Sequence, residues 1–442
     1  MTEDMGQHAG APRELGVAVL GLGNVGTEVV RIITENAIDL RERIGAPLVI
    51  RGIAVRDLGR DRGVARELLT DDPASLIRRD DVDIVIEVVG GIEPPRELIR
   101  TALELGKSVV TANKALLAEY TGELAAAAAA ANVDLYFEAA VAGAIPVVRP
   151  LMQSLAGDQV ERVAGIVNGT TNYILSAMAE TGADYETALA EAGRLGYAEA
   201  DPTADVEGYD AAAKAAILAS IAFHSRVTAA DVYREGISSV TAADLASAAK
   251  FDCTVKLLSI CERITEADGT ERISARVYPA LIPLAHPLAT VSGAYNAVVV
   301  EAHDAGRLMF YGQGAGGAPT ASAVMGDVVM AARNKVHSGR GPLESTYASL
   351  AIAPIAQVPT RYYVAMHVLD RPGVLEGVAG EFAKHHVSIA AVRQEGDGGR
   401  TQLIVITHRA PDGALAETVA ALKNMEAVTA VTSVLRMEGT DE

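Results

Sequence analysis

The densest grouping of side chains able to move a proton lies in the sixteen-residue span EADPTADVEGYDAAAK, where Glu199, Asp201, Asp205, Glu207 and Asp210 lead up to the amine of Lys214. Asp210 and Lys214 are four apart at the start of an alanine-rich helical pattern, so they share a face. Oxidising an alcohol to a carbonyl requires a hydride acceptor and a group that exchanges the hydroxyl proton. An amine supported by carboxylates can do the second job, and carboxylates can also hold an amino group. The same spacing describes a solvated acidic loop with one helical ion pair, worth roughly 0.3–0.5 kcal/mol. Residue types alone leave both readings open.

A hydride acceptor needs its own cradle. Gly21, Leu22, Gly23, Asn24, Val25 and Gly26 follow the strand-like GVAVL and open the helical run VGTEVVRII. Glycines allow a tight turn and a close approach to a pyrophosphate, whose charge the helix N-terminus attracts. Gly21, Gly23, Asn24, Val25 and Gly26 are therefore candidate dinucleotide ligands. The second strand ends at Arg56, whose guanidinium suits a 2′-phosphate and favours NADP, while Asp57 next to it keeps NAD open. Thr111, Ala112, Asn113 and Lys114 follow another strand, and strand carboxyl ends face the ligand crevice, so Lys114 is aimed at cofactor and substrate; a solvated lysine at a helix start is the plainer alternative. The run Gly312 to Gly317 puts bare amides before a helix, which suits a cofactor edge or a hinge.

These residues need an α/β frame. From 16 to 148 short apolar runs at 16–20, 48–55, 82–88, 108–110 and 133–137 alternate with helices beginning near 25, 94 and 115, the pattern of a doubly wound parallel sheet. The alanine run 125–131 reads as helix. From 150 to 330 the pattern is mixed, with strands at 160–167 and 297–301 and a helix over 210–223. A polar stretch, 337–346, and the proline-bearing 351–359 read as a linker. Beyond it come a strand at 362–369, a helix at 373–384 and a strand at 402–407. The expected domains are 15–148 for the dinucleotide, 149–340 for substrate, catalysis and dimerisation, a linker at 341–358, and a C-terminal domain at 359–438.

At 442 residues with half of them hydrophobic, each domain can bury a core, and with 4% aromatics and no Trp that core is aliphatic. A net charge of -19 repels phosphate backbones and anionic membranes, so a small molecule rather than nucleic acid or membrane is the expected partner. No run is long and uncharged enough to span a bilayer, and the polar residues 1–14 lack a secretory apolar region, which together indicate a cytoplasmic protein. Cys253 and Cys261, in FDCTVKLLSIC, are eight apart; read as helix, the segment packs both on nearly the same face, with neither disulfide nor zinc spacing.

Taken in order, GLGNVG, TANK, NGTTNYIL at 168–175, GYAEADPTADVEGYDAAAK and YGQGAGGAPTAS resemble the bacterial homoserine dehydrogenase family from about residue 15 to 335. The acidic run ending in Lys214 is the most specific of these signatures. The resemblance implies reversible NAD(P)-linked interconversion of L-homoserine and L-aspartate 4-semialdehyde, with Lys214 as proton donor to the aldehyde oxygen and Lys114 beside the nicotinamide. It also implies substrate binding by Glu199 and Asp210 supported by Asp205, and a cofactor contact from Gly316. A monovalent cation, sodium by the same resemblance, would be held by the Glu138 carboxylate and the carbonyls of Val141, Gly143 and Ile145. The tail YYVAMHVLDRPGVLEGVAGEFAKHHVSIAAV is similar to an ACT domain, whose turn Asp370, Arg371, Pro372 and Gly373 would bind an effector such as threonine. A homodimer or homotetramer is implied as well.

Two other readings make different demands. A phosphorylating semialdehyde dehydrogenase needs a cysteine nucleophile near a base, a setting neither cysteine has. A nucleotide-binding, amino-acid-sensing regulatory protein without turnover would not need Lys214. Length also leaves no room for a fused kinase ahead of the glycine motif.

Overall fold

The computed structural model describes residues 13–266, 268–397 and 400–439; most of the segment read above as lacking a leader, residues 1–12, lies outside them. The chain forms two units, one from residues 1–156 with 313–345 and the other from 157–312 with 346–442.

In the first unit six strands pair in parallel in the order Leu69–Thr70, Leu48–Ala54, Leu15–Leu20, Ile84–Glu87, Ser108–Thr111 and Leu135–Tyr136. Successive side chains of a strand point to opposite faces, and here both faces are covered. Val17, Val19, Ile84 and Ile86 pack under the helices Asn24–Glu35 and Gly317–Val336, whereas Ala18, Leu20, Val85 and Val109 pack under Pro95–Glu104 and Lys114–Ala131. The alanine run is helical as expected and ends at Asn132 in the left-handed conformation, φ 55°. Residues 313–340, expected in the substrate domain, belong to this unit instead. Ala321, Val324, Val328 and Ala331 share the cluster of the first strand, because that strand's face would otherwise be bare.

The second unit is built on one sheet that runs through Gly306–Gln313, Tyr295–Ala302, Val160–Ile166, Cys253–Thr265, Glu271–Pro283, Val428–Met437, Pro359–Val368, Arg400–Thr407 and Ile389–Asp397. Here the cysteine segment departs from expectation. It is a strand, paired with Glu271–Pro283 on one side and Val160–Ile166 on the other. It is buried on both faces, so its apolar run carries no period by which strand and helix could be told apart. Both thiols are free and buried.

The last four strands of the path, with helices Val374–Lys384 and Asp412–Lys423 packed on one face, form a C-terminal layer. It is not a bead on a linker. The final strand Val428–Met437 pairs in parallel with Glu271–Pro283, aligning Ala280 with Arg436, and the former linker contributes Ala351–Ile352 to that same strand. Buried ions reinforce the seam. Arg276, 1% exposed, meets Glu262 at 2.8 Å and Glu438 at 3.4 Å, while Arg436 meets Asp412 at 2.7 Å and Glu235 at 2.8 Å. Among the described residues no helix is long and apolar enough to cross a membrane.

Candidate active site

The helix Tyr209–Ala222 is alanine and apolar residues around almost its whole circumference, and it is buried on nearly every side. Its two charges are therefore buried with it. Lys214 and Asp210 side chains are 9% and 6% exposed and meet at 2.6 Å, which removes the solvated-loop reading for this pair. A buried ion pair is tolerated only where further hydrogen bonds satisfy it. The amine also donates to the Val167 carbonyl at 2.6 Å. The next residue, Asn168, caps the helix Gly169–Thr181 by accepting the Thr171 N–H at 2.9 Å, and its amide nitrogen donates to Asp205 at 2.7 Å and Asp210 at 2.9 Å.

Asp205, Asp210 and Lys214 are thus brought together. Glu199 is exposed and outside this bonded group. Its loop is tethered close by in sequence, where Thr170 donates to the Tyr197 carbonyl at 2.7 Å and the rings of Tyr173 and Tyr197 lie 4.8 Å apart. Asn168 and the Val167 carbonyl were not singled out from sequence, although the string NGTTN was the available signal.

The dinucleotide candidates lie in the first unit, at the carboxyl ends of its central strands. No side chain caps Asn24–Glu35, so its first amides remain open to an anion. A Cβ at buried Gly26 would collide with the Gly21 carbonyl, which is why this turn takes glycine there. Arg56 is exposed just past the second strand. Arg62, missed from sequence though the run RDLGRDR is dense in arginine, donates to the Leu22 carbonyl at 3.1 Å. Fully buried Glu87 organises the neighbouring strand ends by accepting from Thr111 at 2.6 Å and from the Val89 and Gly90 amides at 2.8 and 2.9 Å. Lys114 is exposed and opens a helix that Asn113 caps at 3.2 Å. Gly316 is the N-cap of Gly317–Val336.

The expected cation ligands all lie in the loop 138–149. The Glu138 carboxylate accepts the amides of Val147, Val148 and Arg149 at 2.7, 2.9 and 2.8 Å, so it organises the loop from within. The carbonyls of Val141, Gly143 and Ile145, in contrast, accept none of the described hydrogen bonds although all three residues are buried. Among the described residues no three His, Cys, Asp or Glu side chains cluster as a metal site. Gly143 has φ 57°, a Cβ there would strike the Gly314 carbonyl, and Ala144 donates to Gln313 at 3.1 Å. The 138–149 loop and residues 313–314 are thus in direct contact.

In the C-terminal layer, Asp370, Arg371, Pro372 and Gly373 form an exposed turn between the strand Pro359–Val368 and the helix Val374–Lys384.

Comparisons with known proteins fall on these same parts. A family described as "Homoserine dehydrogenase, NAD binding domain" matches residues 21–138, "Homoserine dehydrogenase" matches 146–329, and "ACT domain" matches 362–426. A homoserine dehydrogenase of Mycobacterium tuberculosis is 70% identical over 437 residues, covering 98% of this chain and 99% of its own. The crystal structure of a homoserine dehydrogenase from Thiobacillus denitrificans superposes with TM-score 0.89 at 39% identity, covering 97% of this chain and 99% of its own. A hyperthermophilic archaeal homoserine dehydrogenase in complex with NADPH covers 72% of this chain and 98% of its own, with TM-score 0.61 at 28% identity.

Proposed function

The chain belongs to the homoserine dehydrogenase family, NAD(P)-linked oxidoreductases that interconvert L-homoserine and L-aspartate 4-semialdehyde, and within that reaction we propose that Lys214 carries the proton. One observation supports the assignment above others: a buried amine 2.6 Å from a buried carboxylate, on a helix otherwise apolar. In reduction the protonated amine donates to the aldehyde oxygen; in oxidation the neutral amine takes the hydroxyl proton of homoserine. The nicotinamide, when bound, supplies the hydride exchange. Asp210 balances the amine's charge, and with Asp205 and Glu199 it binds the substrate's ammonium group. Replacing Lys214 with Ala should leave NADPH binding intact and lower turnover by about 10²–10⁴-fold. Unchanged turnover would end this reading.

The first unit holds the cofactor in the same reading. Amides of Gly21, Gly23, Asn24, Val25 and Gly26 take the pyrophosphate, Gly316 and Lys114 border the nicotinamide, and Arg56 pairs with a 2′-phosphate, which makes NADP the preferred cofactor over NAD. The expected outcome for Arg56→Ala is a rise in KM for NADPH with little change for NADH. A sodium ion, bound by the Glu138 carboxylate and the carbonyls of Val141, Gly143 and Ile145, stiffens the loop beside residues 313–317; the support is that the last three carbonyls are buried and accept none of the described hydrogen bonds.

The ACT domain, in this reading, binds threonine at the 370–373 turn and lowers activity. Homoserine oxidation assayed with and without threonine checks this. In this reading the enzyme works in the cytoplasm. It assembles as a homodimer or homotetramer, supported by the sheet-edge strand Gly306–Gln313, where exposed Tyr311 stacks on exposed Tyr295 at 5.3 Å.

A further inference from the structure

We propose that Asn168 is a positioning residue for this reaction, a carboxamide clamp that holds the carboxylates Asp205 and Asp210 side by side and, through Asp210, fixes the amine of Lys214. The inference rests on Lys214 as the proton carrier. It concerns how that amine is held.

The orientation of the amide follows from donor chemistry. A backbone N–H can only donate, so the Asn168 atom 2.9 Å from the Thr171 nitrogen is the oxygen, which also receives the Thr171 hydroxyl at 3.0 Å. The amide nitrogen then faces the other way, with two hydrogens for two carboxylates: Asp205 at 2.7 Å and Asp210 at 2.9 Å. These three residues come from three helices, Gly169–Thr181 at its cap, Thr203–Val206 and Tyr209–Ala222, and Asn168 is 5% exposed, so water does not replace it. Two carboxylates on one amide nitrogen carry like charge, and a shared double donor offsets their repulsion.

The Asp210 oxygen that accepts from Asn168 is the one 2.6 Å from Lys214, and Val167 gives its carbonyl to the same amine at 2.6 Å. Neighbouring residues at one strand end thus hold the amine and its counter-charge. Capping alone does not require this residue, because Ser, Thr and Asp cap as well as Asn. Of these, only Asn has two donor hydrogens, one for each carboxylate, while its oxygen caps; a Ser or Thr hydroxyl has one and Asp has none. The other ionisable groups around the cluster are Glu199 on its loop, Glu207, Arg234 stacked over Tyr209, Cys261 against the Ala215 carbonyl, and Lys256 beyond Asn172.

Asn168→Asp keeps the cap and adds a third carboxylate. In the full-length enzyme we expect a lower melting temperature, because a third carboxylate is buried against two others, an NADPH Kd near that of the parent, kcat for homoserine oxidation of the folded protein to fall at least about tenfold, and the acid limb of its pH profile to move up by about one unit, because added negative charge favours the ammonium form. Asn168→Ser, which caps without adding charge, should lose kcat with no upward move of the limb. Parental kcat and pH profile in Asn168→Asp overturn the proposal, as does a loss that only tracks unfolded protein with the limb in place. If Lys214→Ala is inactive while Asn168→Asp is unchanged, the clamp fails alone; if Lys214→Ala is active, the proton-carrier reading fails first.

Discussion

Lys214 and Asp210 are each poorly suited to burial alone, and this mutual dependence gives a signed prediction. Asp210→Asn removes the counter-charge, so the ammonium form is disfavoured and the amine titrates lower. The acid limb of homoserine oxidation should then move to lower pH while kcat falls, the opposite direction from Asn168→Asp; a pH–kcat series on both variants reads the sign. Lys114 makes a different case. A cation in the first turn of a helix opposes the macrodipole by about 0.3–1 kcal/mol. Lys114→Ala should leave the melting temperature unchanged or slightly higher while kcat/KM drops. At this scale the sequence showed spacing well: Asp210 and Lys214 share a face in any helical reading. It did not show direction. An asparagine cap looks the same whether its NH₂ faces water or two carboxylates, and a glutamate looks the same whether or not its carboxylate accepts its own loop's amides, as that of Glu138 does.

Among the elements, those with a period or a punctuation mark were legible. The parallel strands were bounded by glycine turns and helix starts, and the 114–131 helix was fixed by alanine propensity. The hairpin Cys253–Thr265 with Glu271–Pro283 was not, because strands buried on both faces erase the alternation that identifies them. That correction bears on chemistry. Burial pushes the Cys261 thiol up to about 12 and raises Cys253 as well, so neither forms the thiolate a nucleophile needs. Native enzyme should therefore keep its activity and resist iodoacetamide at pH 8, whereas the denatured chain labels at both thiols. Gly143 tests the contact between the 138–149 loop and residues 313–315. Gly143→Ala, at positive φ and against Gly314, should destabilise by about 1–3 kcal/mol and blunt any rise in melting temperature between choline and sodium buffers.

For the molecule as a whole, the sequence marked where the chain changes character but not which distant segments return to which unit. The helix Gly317–Val336 rejoins the dinucleotide unit, and the final strand joins the substrate unit's sheet, because each covers an apolar face or edge that nearby sequence leaves open. The seam's ions can be tested directly. Arg436→Met leaves buried Asp412 without its partner and should cost about 3–5 kcal/mol in chemical denaturation. Adding Asp412→Leu should recover much of that loss. The shared sheet also limits how this enzyme can be engineered. Cutting the chain near residue 355 would uncover Ala280 and Leu281 on the edge of Glu271–Pro283 and take Glu438 away from Arg276. The ACT domain is therefore no detachable cassette, and what its 370–373 turn does is better probed by single changes there than by trimming or swapping the tail.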